Sequence, residues 1–323
     1  MSKPKVFVTR KWPASVEAKL KTLYDVTLNE DDRPLTANEF KSALQNYDAV
    51  CPTVCDSFPA DVINVENKRC KILGNFGVGY NHIDINAAKA QGLIITNTPG
   101  VLTHSTADIA MTLLLMSARR GAEGDRLVRS KQWQGWCPTH MLSSDVTGAT
   151  LGLVGFGRIA QAMARKAHHG FGMKIVYFKP SPADEYVTDD LNATRCESIE
   201  ELMQVADYVS LHCPGGEATR HLINADMLKL MKPSAHLINT ARGDVVDSVA
   251  LIDALKNNRI AGAGLDVYEG EPNVPEGFLT LDNVSLLPHL GSATLGTRTA
   301  MGEKVLANLA ACFAGTPLPD RVV

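Results

Sequence analysis

Arg242, Glu271 and His289 each stand just past an apolar, strand-like run in the last third of the chain. Arg242 lies in Asn239-Thr240-Ala241-Arg242-Gly243-Asp244, Glu271 in Tyr268-Glu269-Gly270-Glu271-Pro272, and His289 in Leu287-Pro288-His289-Leu290-Gly291-Ser292. In an open α/β sheet, ligands collect at the carboxyl ends of the strands, where all three fall. Hydride addition to a ketone carbon needs a proton for the oxygen and a positive group to polarise it. His289 can donate that proton, and Glu271, if bonded to it, would orient the ring and favour the imidazolium. The planar fork of Arg242 suits both a substrate carboxylate and a keto oxygen. Taken singly, each also has a structural reading, as a surface ion pair, a helix-start carboxylate or a structural histidine.

A hydride needs a donor, and the run Gly155-Phe156-Gly157-Arg158-Ile159-Ala160 is suited to hold one. It follows the apolar strand Thr150–Val154 and opens an amphipathic helix. Gly155 permits a tight turn, Gly157 lets backbone approach a pyrophosphate, and Ala160 allows close helix–strand packing. The helix start then offers unpaired N–H groups and a positive dipole end to phosphate. A bare glycine pair is often only a turn; the strand–turn–helix setting argues for a dinucleotide. Nineteen residues beyond Ala160, where an NAD enzyme places a carboxylate for the ribose hydroxyls, the chain reads Phe178-Lys179-Pro180-Ser181. Lys179, with Ser181 and Arg158, suits a 2′-phosphate, so NADP(H) is the expected cofactor and NAD(H) the alternative. The structural reading of Lys179 is a solvated surface lysine.

Two alternating strand–helix series position these residues. The first has strands at 5–9, 25–28, 48–51, 71–75 and 93–96. It has a helix over 14–24 with Val16, Leu20 and Leu23 on one face, and another from Thr36 with the capping box Thr36-Ala37-Asn38-Glu39. The block closes at Thr98-Pro99-Gly100. The second has six strands, at 150–154, 174–178, 208–212, 235–239, 260–267 and 284–287, matching a doubly wound dinucleotide domain. Between them the pattern predicts a helix from Ser105 to about Arg120, stopped at Gly121 and apolar nearly all round, hence buried on every side. The segment 131–144, holding Trp133 and Trp136, reads as a loop. A helical tail, 294–314, is too short to be a domain and is expected to return to the first one.

Composition narrows the class. With 323 residues, 45% hydrophobic and 21% charged, two domains are expected. A net charge of −3 with scattered Lys and Arg points away from nucleic acid. The start Met1-Ser2-Lys3-Pro4-Lys5-Val6 lacks a signal-peptide core, and the most apolar run, 109–116, is too short to span a bilayer. A cytoplasmic chain without membrane attachment is expected. Seven cysteines show no metal-ligand spacing, so no metal is expected and the thiols read as ordinary buried or half-buried ones, Cys51 and Cys55 included.

Together these segments closely resemble the D-isomer-specific 2-hydroxyacid dehydrogenases, over nearly the whole chain. The resemblance implies an α/β fold in which a Rossmann-type doubly wound parallel sheet is inserted into a second, flavodoxin-like α/β domain, with the site in the cleft between them. The substrate-binding domain would comprise 1–99 plus 294–323, and the dinucleotide-binding domain 100–293. The family's catalytic Arg, Glu and His fall on Arg242, Glu271 and His289, and its nicotinamide-amide aspartate on Asp266. Ile159, Pro180, Cys213, Pro214, Thr240 and Gly291 complete the implied cofactor contacts. The substrate-carboxylate loop falls on Asn75-Phe76-Gly77-Val78-Gly79-Tyr80-Asn81-His82-Ile83-Asp84, where the N–H groups of Val78 and Gly79 would bind the carboxylate. The apolar helix resembles a dimerisation arm, which implies a homodimer.

Within the family, Trp136-Cys137-Pro138-Thr139-His140-Met141-Leu142 and His212-Cys213-Pro214-Gly215-Gly216 are most similar to the glyoxylate/hydroxypyruvate reductase branch. That branch implies reduction of small 2-keto acids by NADPH, with Trp136 lining the partner's substrate pocket or, alternatively, pinning the dimer. Two departures stand out: Ala160 replaces the third glycine, and Lys179 replaces the acidic residue. The alternative within the family is a 3-phosphoglycerate or other D-2-hydroxyacid dehydrogenase; many 3-phosphoglycerate dehydrogenases carry a further C-terminal domain, whereas 34 residues follow His289 here. Formate dehydrogenases have a glutamine at Glu271. A dinucleotide-sensing corepressor on this fold keeps the catalytic residues and stays open on sequence alone. His82 lies near the carboxylate loop, His168 and His169 end a helix and meet solvent, and no chemical role falls on His104, His140, His212, His221 or His236.

Overall fold

Strands buried on both faces read as continuous apolar runs, and such runs pair in parallel under helical crossovers. That is how both sheets of the protein are built. The computed structural model describes residues 2–181 and 183–323; Met1, where the N-terminal segment begins, lies outside them. The chain forms two compact units, residues 1–102 with 292–323, and residues 103–291.

The first unit holds β1 (Lys5–Val8), β2 (Asp25–Leu28), β3 (Ala49–Cys51), β4 (Ile72–Gly74) and β5 (Ile94–Thr96). All are parallel in the order β2-β1-β3-β4-β5, the flavodoxin-like arrangement. The helix Ala37–Asn46 starts at Thr36 with the full reciprocal capping box to Glu39. In the helix Ala14–Leu23, Val16 and Leu20 are buried, but Leu23 is exposed, contrary to the pattern. The helix ends there, and Tyr24 takes the core place against Phe313, ring centroids 5.6 Å apart. The last helix, Leu295–Ala314, belongs to this unit. Gly302 and Gly74 let it lie close: a Cβ would come within 2.6 Å of Val16 at the first and 2.8 Å of Val305 at the second.

The second unit holds β6 (Thr150–Val154), β7 (Lys174–Phe178), β8 (Thr194–Arg195), β9 (Tyr208–Leu211), β10 (His236–Asn239), β11 (Gly262–Leu265) and β12 (Val284–Leu286). Their order, β12-β11-β10-β9-β6-β7-β8, is the doubly wound one, with its switch point between β6 and β9. Seven strands replace the six expected. β8 is two polar residues on an edge, too short for any periodic signal.

The apolar helix also differs from expectation. It runs Thr103–Ala118, Arg120 then takes a left-handed conformation (φ 52°), and Gly121 opens a second helix, Gly121–Arg129, instead of stopping the first. Nor is it buried all round. His104, Asp108 and Thr112, spaced four apart, form an exposed stripe, and Asp108 meets Lys166 at 2.8 Å. Covering the sheet and the helix Arg158–Phe171 takes most of the circumference, not all of it. Among the described residues no cysteine is in a disulfide; Cys55 and Cys137 are exposed rather than buried. No helix among the described residues is long and apolar enough to cross a membrane.

Candidate active site

The turn after β6 is shaped by two glycines for different reasons. Gly155 has φ 85°, and a Cβ there would lie 2.8 Å from the Cys213 nitrogen and 2.9 Å from the His212 carbonyl oxygen. The backbone of β9's extension therefore excludes a side chain, and Cys213 is brought against the turn. Gly157 has an ordinary φ of −82°, and a Cβ there would meet nothing within 4 Å. Nothing in the described protein requires glycine at 157; a ligand passing close to the backbone would. Gly157 is also the N-cap of the helix Arg158–Phe171, and no side chain among the described residues caps the helix start. The first-turn N–H groups are left for an outside acceptor. Ala160 is wholly buried and Arg158 exposed. These features fit a dinucleotide pyrophosphate.

Lys179 and Ser181 follow β7, which pairs with β6 in register. Lys179 is half-buried, Pro180 and Ser181 are exposed, and the carbonyls of Lys179 and Pro180 accept from Arg195. Thr240, at the end of β10, is buried with its Oγ1 lacking a partner among the described residues. Burial pushes the Cys213 thiol up to about 11, which keeps it protonated.

Arg242, Glu271 and His289 belong to three loops that interlock. Asn239, 1% exposed, shapes the Arg242 turn: its amide donates to Arg242 O (2.8 Å) and its Oδ1 accepts from Ala241 N (3.0 Å). Next to Arg242, a Cβ on Gly243 would lie 1.8 Å from the Tyr268 carbonyl carbon, so the Arg242 loop rests directly on the chain leading to Glu271. Gly215 leaves room for the Arg242 stem, 2.7 Å from where its Cβ would be. Glu271 accepts from Tyr268 N through Oε1 (2.9 Å) and from His289 Nδ1 through Oε2 (2.8 Å). That bond places the proton on Nδ1 and leaves Nε2 as the ring nitrogen that could exchange one with a ligand. Burial raises the Glu271 carboxyl, but His289, the Tyr268 N–H and Arg242 outweigh it and hold the group below its ordinary value.

His289 itself is left-handed, φ 56°, a conformation that costs a non-glycine residue about 1 kcal/mol. Asp266 maintains it. Its carbonyl accepts from His289 N (2.9 Å), and its carboxylate, 1% exposed, accepts from Leu290 N (2.6 Å) and Gly291 N (2.8 Å). Burial raises the Asp266 carboxyl against the pull of those N–H groups and His289. Thr106 donates to Gly291 O (3.1 Å), tying the turn to the helix Thr103–Ala118.

The loop after β4 in the first unit is built without charge. Asn75, wholly buried, donates to Gly77 O (3.1 Å) and Gly79 O (3.0 Å), and accepts from His82 Nε2 (3.1 Å). Asn97 donates to Val78 O (2.9 Å), and Thr98 N to Gly77 O (3.0 Å). Three consecutive carbonyls are thus drawn inward. The N–H groups of Val78 and Gly79 carry no hydrogen bond among the described residues, the disposition of an anion-binding nest.

Sequence reasoning placed Asn75 and Asn239 within site segments but gave them no role, and passed over Asn97 and Thr106; the roles of all four are set by which groups they meet in three dimensions. Trp136 is 82% exposed and Trp133 53%, both in a coil segment. His168 is bonded to Met173 O (2.9 Å) instead of simply meeting solvent, and His221 pairs with Glu269 (3.0 Å). No group of metal ligands occurs among the described residues.

The sequence profile described as "D-isomer specific 2-hydroxyacid dehydrogenase, NAD binding domain" matches residues 111–291. The chain belongs to the D-isomer-specific 2-hydroxyacid dehydrogenase family. It is 44% identical over 325 residues to a glyoxylate reductase of Thermococcus onnurineus, covering 99% of this chain and 96% of that protein. It is 36% identical over 318 residues to a glycerate dehydrogenase of Hyphomicrobium methylovorum, covering 98% of each. The crystal structure of an NADPH-dependent glyoxylate/hydroxypyruvate reductase from Sinorhizobium meliloti, in complex with NADP and malonate, superposes with a TM-score of 0.88. Identity there is 35%, over 100% of this chain and 97% of that one.

Proposed function

We propose that this chain reduces glyoxylate and hydroxypyruvate to the corresponding 2-hydroxy acids with NADPH. The observation that carries the reading is the His289–Glu271 bond of 2.8 Å, set in a left-handed turn that Asp266 braces. Residues 103–291 would bind the dinucleotide and the other unit the substrate carboxylate. The Gly157 turn and the start of the helix after it would hold the pyrophosphate, with Ile159, Cys213, Pro214, Thr240, Asp266 and Gly291 as further contacts. Lys179, Ser181 and Arg158 would receive the 2′-phosphate. Once bound, the nicotinamide supplies a hydride.

The chain's own residues do the rest. The Val78 and Gly79 N–H groups hold the substrate carboxylate, and Arg242 orients it and polarises the keto oxygen. His289 gives that oxygen a proton from Nε2, while Glu271 stabilises the imidazolium through Nδ1. We also propose a homodimer, because Val128, Trp133, Trp136 and Leu142 expose apolar surface along one short segment. Mass measurement in solution tests that, and a monomer at micromolar concentration would refute it.

Turnover is followed by NADPH absorbance with glyoxylate, hydroxypyruvate and a bulkier 2-keto acid, and again with NADH. The smaller acids and NADPH should give the higher kcat/KM. No turnover with any acid favours a dinucleotide sensor, and equal kcat/KM with both cofactors removes the role of Lys179. His289→Ala should lower kcat by about 10²–10⁴-fold and leave NADPH affinity within a few-fold.

A further inference from the structure

Arg195 ends β8, the edge strand that patterning does not reveal, and lies in register with Tyr177 on β7. Parallel neighbours end on the same side of the sheet, so Arg195 arrives at the edge where Lys179 stands. In a doubly wound domain the end of the second strand, here β7, faces the adenosine ribose. Arg195 Nη2 donates to the carbonyls of Lys179 (3.2 Å) and Pro180 (3.3 Å). Its Nε is buried with no partner among the described residues. Neither Arg195 nor Lys179 is ion-paired with a carboxylate among those residues, although fourteen of the chain's other Lys and Arg side chains are. Both side chains are half-buried, and two like charges at one turn without a counter-charge repel each other. An anion docking there is attracted by both and relieves their repulsion.

We propose that Arg195 is a second cation of the site that reads the adenosine 2′-phosphate, behind Lys179 and bracing the Lys179–Ser181 turn. This rests on the NADPH reading above and adds a residue and a strand to it. A planar fork that holds two backbone carbonyls and also faces a phosphate combines positioning with charge, which lysine cannot reproduce.

Binding of adenosine 2′,5′-bisphosphate and of 5′-AMP to the full chain, by calorimetry, separates the possibilities. The wild type should bind the bisphosphate more tightly. Arg195→Gln should weaken the bisphosphate about tenfold and leave 5′-AMP unchanged, with Arg195→Lys losing less. The salt dependence of bisphosphate binding should become shallower in Arg195→Gln. If the wild type binds both nucleotides equally, the NADPH reading fails and Arg195 falls with it. If Lys179→Ala abolishes the preference while both Arg195 variants keep it, the NADPH reading stands and the role of Arg195 is overturned. Equal weakening of 5′-AMP also overturns it, since Arg195 would then only shape the turn. Should Arg195→Gln not fold, Arg195→Lys decides: full wild-type preference refutes the proposal and a partial loss supports it.

Discussion

Two glycine-bearing loops leave the carboxyl ends of parallel strands, one after β4 and one after β6, and each offers backbone N–H groups that find no acceptor among the described residues. They are prepared in opposite ways. After β6 the work is done by the helix: the first turn of Arg158–Phe171 cannot satisfy its own N–H groups, so one uncapped glycine suffices. After β4 the next helix starts only at Ile85, well past Gly79, and the peptides before it must be turned one by one. Asn75, Asn97 and Thr98 take the three carbonyls from inside, which leaves the N–H edges outward. The glycines differ accordingly. At Gly77 a Cβ would strike Val54 at 2.6 Å, so the protein itself needs glycine there, whereas at Gly157 it would meet nothing. A glycine the fold does not need is better evidence of a ligand than one it does.

The largest effect expected from this contrast lies within the β6 turn. Gly155→Ala places a Cβ at positive φ and 2.8 Å from a backbone nitrogen. It should destabilise the chain by about 3 kcal/mol, lowering Tm by on the order of 10 °C. Gly157→Ala should leave Tm within about 2 °C and weaken dinucleotide binding by about tenfold or more. Thermal unfolding paired with NADP⁺ titration separates the two. Undiminished affinity in a folded Gly157→Ala chain would contradict close approach of the pyrophosphate at that residue.

The loop after β4 should respond differently, because its scaffold is side chains. Asn75→Asp keeps the volume but sets a carboxylate oxygen against the carbonyls of Gly77 and Gly79. KM for the keto acid should rise by about tenfold or more with dinucleotide affinity unchanged, since each lost bond and buried mismatch costs about 1–3 kcal/mol. A change in cofactor affinity of the same size would mean that Asn75 supports more than its own loop.

The difference in scaffold also explains what could be read in advance. The β6 turn was legible because an apolar strand, a glycine pair and an amphipathic helix are consecutive in the chain, and the helix supplies the chemistry without further partners. Arg242, Glu271 and His289 were legible as types at strand ends, while the distance from His289 to Glu271, 18 residues apart, was not. The bracing roles of Asn75 and Asn97 were not legible, because an asparagine's value there depends on which carbonyl it meets, and Asn97 meets one 19 residues away. β8 failed for a different reason: two polar edge residues have no period to detect. Arg120 in a left-handed turn broke the rule that a glycine marks a helix end.

Acid should distinguish the fold from both loops. His236, at the amino end of β10, is bonded to Ser117 (2.8 Å) and Ser144 (3.1 Å) and stacked on Tyr208, beside a cavity of about 470 Å³. Burial holds its imidazole at about 4. With the folded value below the unfolded one of about 6.5, its contribution is complete above pH 6.5 and is lost as pH falls toward 4. The loss should be about 2 kcal/mol between pH 7 and 4.5. Tm should fall across that window, and less so in His236→Asn. An identical fall in the variant would assign the acid sensitivity to other groups.

The smallest effect tests whether the β4 loop is a cooperative scaffold or a set of separate bonds. Asn97 makes one contact to it, Nδ2 to Val78 O at 2.9 Å, while Thr98 N and Asn75 hold the flanking carbonyls. If the bonds act separately, Asn97→Ala should raise KM for the keto acid about threefold, near the lower end for one hydrogen bond. If the peptide between Val78 and Gly79 turns only when all three carbonyls are held, the loss should approach that of Asn75→Asp. The double variant then decides: separate bonds give multiplied KM effects, and a cooperative loop gives a double variant no worse than Asn75→Asp alone. Asn75 touches two carbonyls and is itself oriented by His82, so the cooperative outcome would place the rigidity of the loop in that one buried amide.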